Sequence, residues 1–287
     1  MMNKRFPWTT TGFRLALVLG CFFLLAVKAA AGVMVAPTVV FMSDQKRTDR
    51  IIVKNPSDAP TEVTIRISYG LPMSDSLGNI AISLADSSVS DSKSAMDWIR
   101  AFPRKVMVPA QGSQTVRLVA RPPQGLVDGE YWARIVVSSK EGETVLPATD
   151  VEGQISTSLN MIMQMAIMVK YRTGDLVSSL DLLSARAVQA DNKVHVLVDM
   201  SSLGNTSYMG VIKTRLIDAD GQEMSINSTN LAVYDRLRRR IELGIAPDQE
   251  FKKPLRVDLE ITPDGRNDVP PEDMIKGNKI SQLVAVE

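Results

Sequence analysis

The chain has 287 residues, 45% hydrophobic and 23% charged, with 33 Lys and Arg against 32 Asp and Glu, the make-up of an ordinary globular protein of about two domains. A formal charge of +1 offers no concentrated basic surface for nucleic acid or an anionic membrane. One cysteine and one histidine remove His-based triads and Cys/His metal sites, so neither an enzyme, a cofactor nor a metal is expected.

Residues 1–31 carry Lys4, Arg5 and Arg14, then the apolar run Leu15 to Val27, then Ala29-Ala30-Ala31 before Gly32. This is the layout of a secretory signal peptide, with cleavage expected after Ala31. The run is roughly 13 residues, short of the ~20 that a spanning helix needs, so no membrane insertion is expected after cleavage. Leu19-Gly20-Cys21 has the form of a lipoprotein box, but Phe22 to Val27 stay apolar after the cysteine. Cleavage removes Cys21, so the mature core must hold without disulfides in an oxidising compartment.

In chain order, short β-branched runs alternate with turn residues, and none shows helical spacing, which predicts an all-β chain. Val33 to Met42 reads as a first strand, Arg50 to Lys54 as a second, and Val63, Ile65 and Ile67 alternate with polar residues in a third. Gly70 to Ala95 is rich in Ser, Asp and Gly and reads as a long excursion with a hairpin around Gly78-Asn79. Strands resume at Trp98-Ile99, Lys105 to Val108, Gln114 to Val119 and Tyr131 to Val137, with Trp98 and Trp132 as core anchors of a first sandwich. After Arg172 to Asp175 a second series follows: Leu180 to Ala187, Val194 to Met200, Tyr208 to Ile217, a hairpin at Asp218 to Gly221, Arg240 to Leu243, Leu255 to Ile261 and Ile280 to Val286. The expected division is a signal peptide at 1–31, a first immunoglobulin-like sandwich at 32–173 and a second at 174–287.

Within 155–171 the odd positions Ile155, Leu159, Met161, Met163, Met165, Ile167, Val169 and Tyr171 are apolar, while the even positions are mixed. At about 3.3 Å per residue, one strand over that range would span roughly 56 Å, far beyond a usual strand. Either the run is shared between two domains and covered by their own cores, or part of it lies at a sheet edge awaiting another chain. Its methionines suit the second case, because flexible thioethers adapt to several partner surfaces.

The segments Phe102-Pro103-Arg104-Lys105, Val108 to Val119, Asp128-Gly129-Glu130-Tyr131-Trp132 and the run ending Val169-Lys170-Tyr171-Arg172 resemble those of the periplasmic pilus-assembly chaperones, the PapD-like family of chaperone–usher systems. The likeness covers about residues 33–173 well and the rest weakly. It implies two angled immunoglobulin-like domains and a donor strand that lends apolar side chains to an incomplete pilin-like subunit, with an outer-membrane usher as the second partner. On that alignment Leu159, Met161 and Met163 fall at the donor positions, with Ile155 as a fourth. The family's cations that anchor the client's terminal carboxylate fall at Val39 and Met168, a departure from the pattern, and Lys170 is the nearest substitute. The alternative is a two-module structural or adhesive surface protein without a client.

Other candidates have plainer readings. His195 alternates out of phase with Val194, Val196 and Val198 and reads as a rim residue. Asp218-Ala219-Asp220-Gly221 lacks the spacing and closing glutamate of a calcium loop and reads as a turn. Arg236, Arg238, Arg239 and Arg240 form a basic cluster on a strand or loop, solvated or touching an outer-membrane assembly protein.

Overall fold

The computed structural model describes residues 32–140 and 162–287. The signal-peptide reading of 1–31 and the donor positions Ile155, Leu159 and Met161 lie outside the described residues.

The architecture is all-β. The first sandwich pairs a four-stranded sheet, β1 (Met34–Ala36), β3 (Thr48–Lys54), β9 (Ser113–Ala120) and β7 (Ile99–Phe102), with a five-stranded one. The second sheet runs β2 (Val39–Ser43), β11 (Ile162–Thr173), β10 (Gly129–Lys140), β4 (Thr61–Ser68) and β8 (Lys105–Val108). Between them lies one apolar core, with Ile51, Val63, Val116, Leu118, Ile135, Val169 and Tyr171 at its centre. The predicted first strand is broken: β1 pairs with β3, and after Pro37 the chain crosses to β2, which runs parallel to β11. A proline has no N–H for a continuing ladder, so the sheet switch falls there.

The second sandwich packs β12 (Leu180–Ala190), β13 (Lys193–Ser202) and β16 (Arg236–Gly244) against β15 (Glu223–Val233), β14 (Tyr208–Ile217), β17 (Arg256–Thr262) and β18 (Ile280–Ala285). Its separate core centres on Val196, Val198, Ile212, Leu216, Val257 and Leu259. The strand β15 has no counterpart in the sequence reading. The Asp218 turn is closed by that residue's own carboxylate, which accepts backbone N–H groups from Asp220 and Gln222, each at 2.9 Å.

The excursion after β4 forms the expected hairpin, β5 (Pro72–Ser74) and β6 (Ile80–Ile82), closed by the Asp75 carboxylate accepting N–H groups from Leu77 and Asn79. It does not project into solvent. Ser74 Oγ accepts the Arg238 N–H at 2.8 Å, and Gly78 O accepts the Arg240 N–H at 3.2 Å, so the hairpin straps the first sandwich onto β16 of the second. Gly78, at φ 78°, sits so close to the Arg240 backbone that a side chain there would collide with it. The basic cluster is therefore mostly engaged: Arg238 also forms a two-pronged pair with Asp199 at 2.6 and 2.9 Å, and Arg239 donates to Asn230 O and Thr229 Oγ1.

Candidate functional site

Side chains alternate across a strand, so β10 and β11 each present two rows. The odd row (Tyr131, Ala133, Ile135 and Val137 on β10; Ile167, Val169 and Tyr171 on β11) enters the first core. The even row faces the second sandwich and shares one smaller apolar cluster with it, and Phe41 of β2 joins a second. Phe41 meets Met209 and Val269 in one; Tyr69, Trp132 and Met168 meet Tyr234 in the other. With both faces covered, β10 is buried from Gly129 through Val137. Trp132 thus belongs to the contact between sandwiches, contrary to its expected place in the first core. Its indole stands edge-on to Tyr234 with ring centroids 5.2 Å apart. Trp98 does pack against the first core, edge-on to Tyr171 at 4.9 Å.

Charge is concentrated on the same even row. The Glu130 carboxylate, fully buried, accepts Lys170 Nζ at 2.9 Å, Arg172 Nε at 2.8 Å, the Trp132 indole N–H at 2.7 Å and the Ser207 hydroxyl at 2.6 Å. Burial pushes this carboxyl's pKa up. The Lys170 and Arg172 charges and the Ser207 and Trp132 hydrogen bonds outweigh that effect and hold it down at about 2. Lys170, 1% exposed, is not a solvated strand residue; its ammonium also bonds Ser207 Oγ and stands 4.7 Å over the Tyr234 ring. Arg172 donates Nη1 to Asp273 O at 2.6 Å and stacks on Phe41 at 4.5 Å, while its Nη2 has no partner among the described residues. Ser207, Tyr234 and Asp273 come from the second sandwich, so the cluster joins the two.

The expected anchor positions Val39 and Met168 are register partners on β2 and β11, and both lie in apolar surroundings. The register partner of Met168 on β10 is Arg134, which the sequence reading did not single out. This guanidinium is 6% exposed and donates Nε to Gly70 O at 2.6 Å and Nη1 to Ala166 O at 3.5 Å. Beside it, a cavity of about 770 Å³ opens between the excursion and the second sandwich, lined by Tyr69, Gly70, Leu71, Tyr234 and Arg236 among others.

Of the donor candidates the described residues include Met163, near the start of β11. The odd row leaves the core there: Tyr171 and Val169 are 0% exposed, Ile167 6% and Met163 39%. The Met163 thioether lies against Gly32. Backbone pairing changes along the same line. Along its whole length β11 pairs with β10, but β2 covers its other edge over Met168 to Arg172 alone. From Ile162 to Ile167 that edge has no strand beside it among the described residues. His195 is a rim residue with Nδ1 3.6 Å from Glu242, and no metal-binding group of His, Cys, Asp and Glu occurs among the described residues.

No family model matches the chain, and no curated protein matches its sequence. Solved structures do resemble it. A CsuC–CsuE chaperone–tip adhesion subunit pre-assembly complex from archaic chaperone–usher Csu pili of Acinetobacter baumannii is 11% identical, over 90% of this chain and 100% of its own, with a TM-score of 0.45. The Pseudomonas aeruginosa CupB2 chaperone is 13% identical, over 88% of this chain and 100% of its own, with a TM-score of 0.43. A structure of the Salmonella enterica SafA pilin in complex with the SafB chaperone is 11% identical, over 88% of this chain and 96% of its own, with a TM-score of 0.42. The solved structures that this chain resembles thus include chaperones of pilus assembly, matched over nearly their whole length.

Proposed function

We propose that this chain is a periplasmic, non-catalytic chaperone that caps incomplete pilin-like subunits by lending them the apolar row leading into β11, and passes them to an outer-membrane usher. The observation that carries the reading is a coincidence on one strand. Where the odd row of β11 emerges from the core at Met163, the adjoining backbone edge from Ile162 to Ile167 is free of any described neighbour. An open edge supplies main-chain hydrogen bonds to an added strand, and an alternating apolar row supplies side chains to a groove, which are the two needs of strand addition. Three or four such side chains, at roughly 1.5–3 kcal/mol each, give about 5–12 kcal/mol gross before the costs of ordering and association. Export fits the N-terminal layout of charge, apolar run and small residues.

The test replaces Met161 and Met163 together by aspartate and follows co-expressed pilin-like subunits from the same genome in the periplasm. A carboxylate in an apolar groove costs several kcal/mol, so client levels should fall at least about tenfold while the chaperone itself accumulates normally. Unchanged client levels would return the chain to the class of surface proteins without a client.

A further inference from the structure

Charges on neighbouring strands of the second sandwich are matched by the register. Lys213 stands opposite Glu260, Arg215 opposite Asp258 and Arg238 opposite Asp199. The sheet of β1, β3, β9 and β7 in the first sandwich breaks this pattern. Its Ile51, Val53, Val116 and Leu118 turn into the core, so by alternation the outward positions carry four cations, Arg50, Lys54, Arg100 and Arg117, and no carboxylate. Arg50 and Arg117 are register partners, the one like-charge pair among the described strands. Like charges directly opposite each other cost stability. Asp49, one position along from Arg50, alternates to the other side and pairs with Lys46 at 2.6 Å. Between the cations stand three exposed apolar side chains: Met34, the register partner of Lys54, at 60%, Phe102, the register partner of Arg117, at 52%, and Ile52 at 43%.

A formal charge of +1 conceals this face, because the charge is sorted by position along the surface. Two features select its occupant. Guanidinium groups are suited to two-pronged recognition of phosphate, and cations interspersed with apolar side chains on one face suit a lipid interface, where the cations meet anionic headgroups while the apolar groups reach the acyl boundary. An acidic polypeptide would answer the cations but give Met34, Ile52 and Phe102 nothing to enter. We infer that this sheet face docks peripherally, without insertion of any strand, on the anionic phospholipid surface that an exported protein meets. The face belongs to the opposite sheet of the first sandwich from β11, so docking on lipid and strand addition are separate events.

The experiment is vesicle flotation with the chain recovered after export, its N-terminus checked by mass spectrometry so that no apolar leader contributes. Vesicles are made of phosphatidylcholine alone or with about one-third phosphatidylglycerol. The wild type is expected to bind the anionic vesicles at about 0.05 M salt, to release them at about 0.5 M, and to leave the neutral ones alone. Each cation contributes about fivefold to such binding, so Arg50→Gln with Arg117→Gln should weaken it about thirtyfold. The urea midpoint of that variant should stay at or above the wild-type value, because the like-charge pair is relieved. Lys213→Gln with Arg215→Gln removes the same charge from the second sandwich and should leave vesicle binding within about twofold. Equal binding to both vesicles, an unaffected Arg50 and Arg117 variant, or an equal loss in the Lys213 and Arg215 variant would overturn the inference. Binding to polyglutamate but not to vesicles would give the face to an acidic polypeptide and overturn the lipid assignment. Should the double variant not fold, Arg117→Gln alone, with a loss of about fivefold, decides the matter.

Discussion

Replacing Glu130 by alanine is expected to destabilise the protein by about 3–5 kcal/mol, the usual cost of breaking a buried pair from one side. The cost arises mainly from what is left behind. Lys170 and Arg172 would remain buried with no carboxylate, and the Trp132 indole and Ser207 hydroxyl would each lose an acceptor. Glu130→Gln keeps an acceptor but not the charge, so chemical denaturation of both variants separates the electrostatic share from the hydrogen-bonding share. The same residue sets an acid limit. Because the folded carboxyl titrates at about 2 instead of the usual 4.5, its contribution is fully present above the unfolded value and is lost as pH falls through the folded one. Between about pH 4.5 and pH 2 the urea midpoint of the wild type should therefore fall more steeply than that of Glu130→Gln. Parallel curves would mean that the cluster does not hold the carboxyl down.

Trp132→Ala is expected to cost about 3–5 kcal/mol, in the range for a large aromatic removed from a packed site. Here the loss falls on the contact between the sandwiches, since the indole packs against Tyr69, Met168 and Tyr234 and donates to Glu130. Two readouts distinguish this from an ordinary core cavity. Trp132→Ala and Glu130→Ala share a hydrogen bond, so the double mutant should be less destabilised than the sum of the singles by at least about 0.5 kcal/mol. Limited proteolysis should also cut the 174–179 connection sooner than in the wild type, while Trp98→Ala, at the first core, should leave that site unaffected until global unfolding. A strictly additive double mutant would place Trp132 outside the cluster's energetics.

The sequence was legible where one face of a strand is wet. The strand β13 was expected at Val194 to Met200 and runs Lys193–Ser202 with buried and partly exposed residues alternating, and the hairpin at Gly78-Asn79 follows from turn chemistry. The strand β15 was not legible, because Ser225, Asn227 and Thr229 alternate with residues too mixed to mark an apolar face. Trp132 was assigned to the wrong interface for the converse reason: with both rows of β10 covered, alternation no longer says which row meets which core. The charge cluster has no one-dimensional signature at all. Glu130 and Lys170 come together only once β10 and β11 are in register, and Arg134 stands out only when its neighbours are seen to be carbonyls. Parity was available, since Glu130, Trp132, Arg134, Met168, Lys170 and Arg172 are all even-numbered, but the fact that this row faces a second domain was not.

The strap formed by the β5–β6 hairpin, which is held by β16 through Ser74 and Gly78, makes the contact between the sandwiches a joint product of both halves. Arg134 and Met168 belong to one, Tyr234 and Ser207 to the other, and the hairpin fastens them at a point remote from Glu130. A minimal fragment comprising either half would therefore be a poor reagent: it would expose a greasy, charged flank that the intact molecule keeps from water, and it would be prone to clump.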